Sequence, residues 1–310
     1  MKLSNYLFLF GIVAFLSCGE TAKNEAIAKD ESSIIEGFWK RTGMVQFVNG
    51  VPVDTLYYAN GELDPPGKNF IQIKAFLDGN IFWIMNNHNS KSPWKGSMGG
   101  YGKFKIEKDT IIEFMSHATG DMAVYMKNLK EEQKTSSVPF KFGYTLSDKN
   151  YVQIQNPNEE GIAMAEYYEK MPNLSKSKLD GVWKRSYEIQ FVNGVAVDTT
   201  SVPSDVILDT KIIKDGYFIF QVDRTKLAGD DPTKPQFGGT GAFGEVDYSN
   251  GNMKEYAQFG SGNWLLDTLP RSIVGYVGVK FYDDDTFIQI TKDTLGQNLA
   301  GRGVVYRRIK

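Results

Sequence analysis

Two glutamates, Glu113 and Glu255, occupy matched places in this 310-residue chain, each among apolar neighbours. A carboxylate in an apolar interior is pushed toward its neutral form, so such a group could act as a general acid or base, or hold the polar head of a ligand. A glutamate on a strand can equally point to solvent, and matched copies speak for shared descent before shared chemistry. The two histidines, His88 and His117, have counterparts near Thr225 and Phe259 in the second half of the chain, so neither is repeated. A haem or zinc site present in two copies therefore lacks support. Asp283, Asp284 and Asp285 could gather calcium, or form a solvated hairpin tip. No nucleophile elbow, phosphate-binding loop, dinucleotide fingerprint or zinc-protease helix is present. Catalysis, metal and cofactor thus have no positive support in the motifs.

The glutamates match because the chain repeats itself. Residues 37–55, GFWKRTGMVQFVNGVPVDT, return at 181–199 as GVWKRSYEIQFVNGVAVDT, with 13 of 19 positions identical. We read a first unit over 34–171, a polar linker over 172–178 and a second unit over 179–310. Units of roughly 130–140 residues can bury a core without disulfides. The chain holds 16 Tyr, 20 Phe, 5 Trp and 31 Gly, a composition suited to strands and turns. With 35 basic and 37 acidic residues and no run of like charge, it lacks the basic face a nucleic-acid partner needs.

Period-two alternation recurs, and a helical period is hard to find. Asn49-Gly50, Asn193-Gly194, Asp78-Gly79 and Asp215-Gly216 sit between apolar residues and read as hairpin turns. Lysine-bearing strands at Ile71–Leu77 and Val206–Lys214 match each other. The glycine-rich run Gly99-Gly100-Tyr101-Gly102-Lys103-Phe104 is aligned with Gly238-Gly239-Thr240-Gly241-Ala242-Phe243, where bulges or close backbone approach are expected. Closing strands pair Tyr151–Ile154 with Phe287–Ile290, and Ala165–Met171 with Gly303–Ile309. Gln153 and Gln289 take the face opposite Val152, Ile154, Ile288 and Ile290. Eight to ten short strands per unit, in a meander, escape exposed edges by closing into a barrel. The fold class expected is all-β, with two tandem antiparallel β-barrels.

Residues 1–17 have the form of a secretory signal, with Lys2 ahead of an apolar run, Tyr6 to Leu16, too short to span a bilayer. Cys18 is the only cysteine, so no internal disulfide forms. Phe15-Leu16-Ser17-Cys18 resembles the lipobox of bacterial lipoproteins, with Phe where that family prefers Leu; an incidental cysteine near an ordinary cleavage site is the alternative. The resemblance implies lipidation at Cys18 and stable anchoring. Gly19, in place of Asp, favours the outer membrane of the cell envelope, facing either the periplasm or the outside. Residues 18–33 read as a flexible polar tether. Asp-Thr at Asp54, Asp109, Asp198, Asp267 and Asp293 resembles an O-glycosylation signal of exported Gram-negative proteins; turn chemistry accounts for it as well.

Gly-x-Trp on the first strand, a hairpin meander and a basic residue on the last strand resemble the lipocalin, or calycin, pattern, and more narrowly the lipocalin-like domains of Gram-negative lipoproteins. Further short lipocalin motifs are not evident. The resemblance implies that Trp39 pairs with Lys170, and Trp183 with Arg308 (or its neighbour Arg307), to close one end of each barrel. A cation over an indole contributes about 0.5–2 kcal/mol.

A barrel of this size is filled by side chains or holds one small ligand. Candidate wall residues are Trp83, Tyr101, Phe104, Glu113 and Phe114 in the first unit, and Phe220, Phe243, Glu255 and Tyr256 in the second; each could equally be ordinary core. Phe82 and Trp83 must face opposite sides of their strand. The function expected is a lipid-anchored envelope protein binding a small apolar or amphipathic ligand. The alternatives are a surface module contacting a glycan or protein, with Trp94 and Trp264 as outward aromatics, and an enzyme using Glu113 or Glu255. The oligomeric state is not encoded.

Overall fold

The computed structural model describes residues 33–59, 62–63, 70–87, 96–192, 195–224, 239–262, 273–292 and 299–310. The leader, Cys18, the tether, His88, Trp94, Asn193-Gly194 and Trp264 lie outside the described residues.

In the first half the strands are β1 (Gly37–Val48), β2 (Val51–Ala59), β3 (Glu62–Leu63), β4 (Phe70–Leu77), β5 (Asn80–Asn87), β6 (Gly96–Glu107), β7 (Thr110–Thr119), β8 (Val138–Leu146), β9 (Asn150–Gln155) and β10 (Ile162–Lys170), with helix α1 (Asp121–Gln133) between β7 and β8. In the second half they are β11 (Gly181–Val192), β12 (Val195–Ser201), β13 (Val206–Lys214), β14 (Tyr217–Arg224), β15 (Gly239–Ser249), β16 (Asn252–Gly262), β17 (Ile273–Asp283), β18 (Thr286–Lys292) and β19 (Leu299–Arg308). Each half is a closed eight-stranded antiparallel barrel, sealed by β10 pairing with β1 and by β19 pairing with β11.

The opening strand of each barrel forks. Gly37–Lys40 pair with β4, while Gly43–Val48 pair with β2. Gly181–Lys184 pair with β13, while Tyr187–Val192 pair with β12. The long first strand therefore serves both the barrel wall and a ribbon that leaves it. On that ribbon β12 is exposed at every residue.

Two-residue turns set the register. φ is positive at both residues of Asn49-Gly50 (52° and 78°), Asp78-Gly79 (50° and 68°) and Asp215-Gly216 (53° and 84°), the geometry that matches strand twist in a tight hairpin. Bulges curve the walls, with Gly102 and Gly244 following matched register shifts after Tyr101 and Phe243. A Cβ at either glycine would strike a carbonyl of the neighbouring strand, Phe114 or Tyr256. This pairing corrects the sequence alignment of the glycine-rich strands by three residues. Tyr101 matches Phe243, and Phe104 matches Val246 opposite Glu255. Several glycines in a row leave a strand's register unmarked by side-chain pattern.

Helix α1 is a second departure from the sequence reading. Met126 is buried in the first barrel's core, and Met122 and Leu129 pack against it. Three apolar anchors at helical spacing are a short signal within a chain of alternating strands.

Each barrel has an inner and an outer apolar face. Inside the first lie Trp39, Phe76, Ile81, Ile111, Met115 and Tyr151; inside the second lie Trp183, Ile213, Phe218, Met253, Val277 and Phe287. A further cluster draws on both barrels, combining Ile73, Ala75, Phe82 and Tyr101 with Ile212, Ile219, Phe243 and Phe259. It forms a seam between the outer faces of β4–β6 and β13–β16. Phe38 spans it, with ring centroids 5.5 Å from Tyr217 and 6.1 Å from Phe243.

Candidate functional site

One end of each barrel is closed the same way twice. Trp39 donates its indole N–H to the Ile35 carbonyl at 2.7 Å, and Trp183 donates to Leu179 at 2.7 Å. Lys170, opposite Trp39 in the β1–β10 pairing, holds Nζ 5.1 Å from the indole centroid and donates to the Ile34 carbonyl at 2.6 Å. Arg308, opposite Trp183, sits 4.2 Å over its ring and donates to the Asp180 carbonyl at 2.7 Å. Both tryptophans are fully buried. Each cation thus joins the last strand, the first strand and the chain preceding it.

Above this layer a polar network crosses each interior. Lys74 on β4 reaches Glu113 on β7 at 2.7 Å and Gln153 on β9 at 2.5 Å. The Tyr151 hydroxyl donates to the same Gln153 oxygen at 2.9 Å. Lys74, Glu113 and Gln153 are each only 3% exposed. In the second barrel Lys211 on β13 reaches Glu255 on β16 at 2.5 Å and Gln289 on β18 at 3.2 Å. A lysine this far from water keeps its charge only with a carboxylate partner, and each barrel supplies one from across the interior. Burial pushes the Glu113 carboxyl up, and Lys74 opposes the shift.

A second polar layer holds one buried arginine per barrel. Arg41 donates to Gln72 at 2.6 Å and pairs with Glu166 at 3.2 Å, and the Tyr168 hydroxyl donates to Glu166 at 2.7 Å. Burial alone would raise Glu166, but Arg41, Lys74 and that hydroxyl bring it below the usual range. Arg185 pairs with Asp209 at 2.8 Å and also with Glu188, which Arg302 shares. The carboxylate has changed strands between the copies. Glu166 on β10 faces Met44 on β1, whereas Glu188 on β11 faces Val304 on β19. The charge balance is kept while its source moves.

The wall candidates divide by face. Trp83, Phe104 and Glu113 belong to the interior of the first barrel, and Phe220 and Glu255 to that of the second. Trp83 presses on Gly100, where a Cβ would run into the indole. Tyr101 and Phe243 instead face outward into the seam, so neither lines an interior. Phe114 and Tyr256, each one residue beyond an inward glutamate, take the outer face; the Lys105 ammonium lies 5.4 Å from the Phe114 ring. Both glutamates point inward, against the reading that put them in solvent. Glu113 offers no solvent-facing side at which a reacting atom could sit.

Sequence reasoning missed Lys74, Lys211, Arg41, Arg185, Glu166 and Glu188. The signal was present: Lys-Arg recurs in the duplicated opening, and a lysine stands at the centre of each matched apolar strand.

Across the seam Gln221 donates to the carbonyls of Trp83 and Gly100, both at 3.0 Å. Asp223 is raised to about 6 by burial, against the backbone N–H groups of Arg224 and Ala118. His117 is lowered to about 4 by burial, then by Lys130 and Lys184. At the β17–β18 turn Lys178 holds Asp284, and Lys310 and Arg308 hold Asp285. Among the described residues no group of three or more His, Cys, Asp or Glu is placed to hold a metal ion, and no helix is long and apolar enough to cross a membrane.

No family model and no curated protein matches the chain. Among solved structures, a protein of unknown function from the DUF3598 family of Nostoc punctiforme aligns over 90% of this chain and 99% of its own, at 8% identity and a TM-score of 0.22. That likeness is too slight to bear on function.

Proposed function

We propose that the protein is a lipid-anchored envelope protein in which two lipocalin-like barrels act as one interaction module, engaging a partner on their outer surface and not carrying a ligand inside. The observation that carries this reading is the pair of polar bridges across the interiors. Lys74 joins β4 to β7 and β9, and Lys211 joins β13 to β16 and β18. A ligand at that depth would have to displace a buried charge pair, which costs several kcal/mol. Met126 of α1 fills further space in the first barrel.

The partner this reading favours is a protein. The stretch QFVNGV-x-VDT is nearly identical in both copies, yet its valines pack little: Val51 is 60% exposed and Val195 65%. Val53 and Val197 repeat the arrangement. A core position is retained for packing; an exposed aliphatic ribbon retained twice points to a contact made by both hairpins. Aliphatic side chains suit a protein surface, whereas sugars stack on aromatic rings.

The test is cross-linking in intact cells with a photoreactive residue at Val53 or Val197. The proposal expects one partner band from both positions, lost when the companion valines Val51 and Val195 become serine. If no adduct forms at either hairpin while organic extraction of the folded protein releases a stoichiometric lipid, the carrier reading replaces it.

A further inference from the structure

Lys184 and Arg307 stand directly opposite one another where β11 pairs with β19, and both are exposed. Like charges in that position repel. The matched pair in the first barrel is Lys40 opposite Glu169, which attract. The second barrel therefore carries a doubly positive pair where the first carries a neutral one. Among the described residues neither cation meets a carboxylate within ion-pair distance.

The wall is open beside this pair. A cleft of about 390 Å³ lies at the fork where β11 parts from β13 to pair with β12. Two of its lining residues, Ser186 and Ile207, are the extra residues of β-bulges on β11 and β13. Bulges re-aim side chains and recur beside binding sites. The matching strand β4 pairs with β5 without a shift, so among the described residues the first barrel shows no second bulge there. Arg185 and Asp209, paired with each other at 2.8 Å, line the inner side of the cleft, each with its side chain only 9% exposed. Two of the Arg185 nitrogens face Asp209 and Glu188, while its Nε is buried with no hydrogen-bond partner among the described residues. Val202, Val206 and Ile207 supply an apolar side.

We propose that this cleft binds an anionic amphiphile, with an oxyanion head (phosphate monoester or carboxylate) held by Lys184 and Arg307 on the outer face and a short apolar stem along the valines and Ile207. The Arg307 guanidinium suits such a head because its planar donors match paired oxygens. The volume falls at the small end of the roughly 300–1,000 Å³ usual for small-molecule sites. The head relieves the Lys184–Arg307 repulsion, which distinguishes this barrel from its twin. The site is on the outer wall and is independent of whether the hairpins dock a protein.

The test is calorimetric titration of octyl phosphate into the full chain. One site per chain is expected, weakened at least tenfold by Arg307→Glu, which restores the charge pattern of the first barrel, and also by Lys184→Gln. Glu169→Gln, at the twin position, leaves affinity unchanged. Melting curves of each variant establish that it is folded. Equal affinity in Arg307→Glu and the parent chain, or inorganic phosphate binding as tightly as octyl phosphate, overturns the proposal. Co-sedimentation of the Cys18→Ser chain with phosphatidylcholine vesicles, with and without phosphatidic acid, separates the sources. Arg307-dependent capture by the acidic vesicles assigns the head to a membrane lipid. Octyl phosphate binding without capture assigns a free amphiphile, and neither result overturns the site.

Discussion

Replacing Lys74 with methionine keeps the length of the side chain and removes its charge. In the native barrel the ammonium is hydrogen-bonded to Glu113 at 2.7 Å and Gln153 at 2.5 Å, with both members of the ion pair nearly sealed from solvent. Breaking a buried pair from one side leaves an uncompensated charge and costs about 3–5 kcal/mol. The Gln153 oxygen keeps its bond from Tyr151, so the loss falls mainly on Glu113. That carboxyl is already raised by burial, with Lys74 opposing; without the lysine it rises further. A carboxyl whose folded pKa lies above its unfolded value binds its proton more tightly when folded, so stability recovers as pH falls through the folded value. Urea denaturation followed by tryptophan fluorescence at pH 7.5 and pH 5 is therefore expected to show a large loss for Lys74→Met at the higher pH and a smaller one at the lower. Lys74→Met combined with Glu113→Leu recovers most of the loss, because an apolar pair of similar volume replaces the ion pair. A loss under about 1 kcal/mol that is the same at both pH values, with no recovery in the double variant, would refute the reasoning.

Other consequences are measurable in the same way. Arg308→Ala removes the cation over Trp183 and a bond to the Asp180 carbonyl, and is expected to cost about 1–3 kcal/mol in thermal unfolding; a neutral result would mean the closure is ornamental. Gly102→Ala and Gly244→Ala force a methyl against the Phe114 and Tyr256 carbonyls, each lowering stability by about 1–3 kcal/mol, whereas Gly143→Ala, with its nearest neighbour at 3.7 Å, is far milder. Asp223, raised from 3.8 to about 6, withholds roughly 3 kcal/mol above pH 6; Asp223→Asn is expected to stabilise the chain at pH 7.5, and to abolish the part of the stability that in the parent grows as pH falls from 6 toward 4. His117, lowered to about 4, has the opposite sign: its contribution is lost as pH falls from about 6.5 through 4, and His117→Gln should flatten that acid limb. Identical pH profiles for the parent and both variants would contradict the placement of these groups at the seam.

The repeat, the tight turns and the barrel class were legible because they rest on local chemistry: Asn-Gly and Asp-Gly dipeptides, period-two alternation, and one sentence of sequence used twice. The side-chain faces were harder to read. On β9 alternation would turn Val152 and Ile154 inward, yet Ile154 is 40% exposed while Gln153 is 3% exposed. The inward choice is made by Lys74 on β4, five strands earlier in sequence, which needs an acceptor across the interior. Tyr101 and Phe243 look like wall residues because they are aromatic and strand-borne, but a seam between barrels demands the same residue types on the outer face. The glycine-rich strands slipped in alignment for want of side chains to fix their register, and α1 was hidden by its few apolar anchors.

The interiors can be examined directly through their lysines. Nitrogen-resolved NMR of the Lys74 and Lys211 side chains at neutral pH should reveal two ammonium groups whose protons exchange slowly with water and lie close to the rings of Tyr168 on β10 and Tyr306 on β19, whose centroids are 5.7 and 5.5 Å from the respective Nζ atoms, with Glu113→Gln and Glu255→Gln each shifting only the signal of its own barrel. Fast-exchanging signals indistinguishable from those of surface lysines would mean that the interiors are open to solvent or ligand, and the view of two side-chain-filled barrels acting through their outer surface would fail.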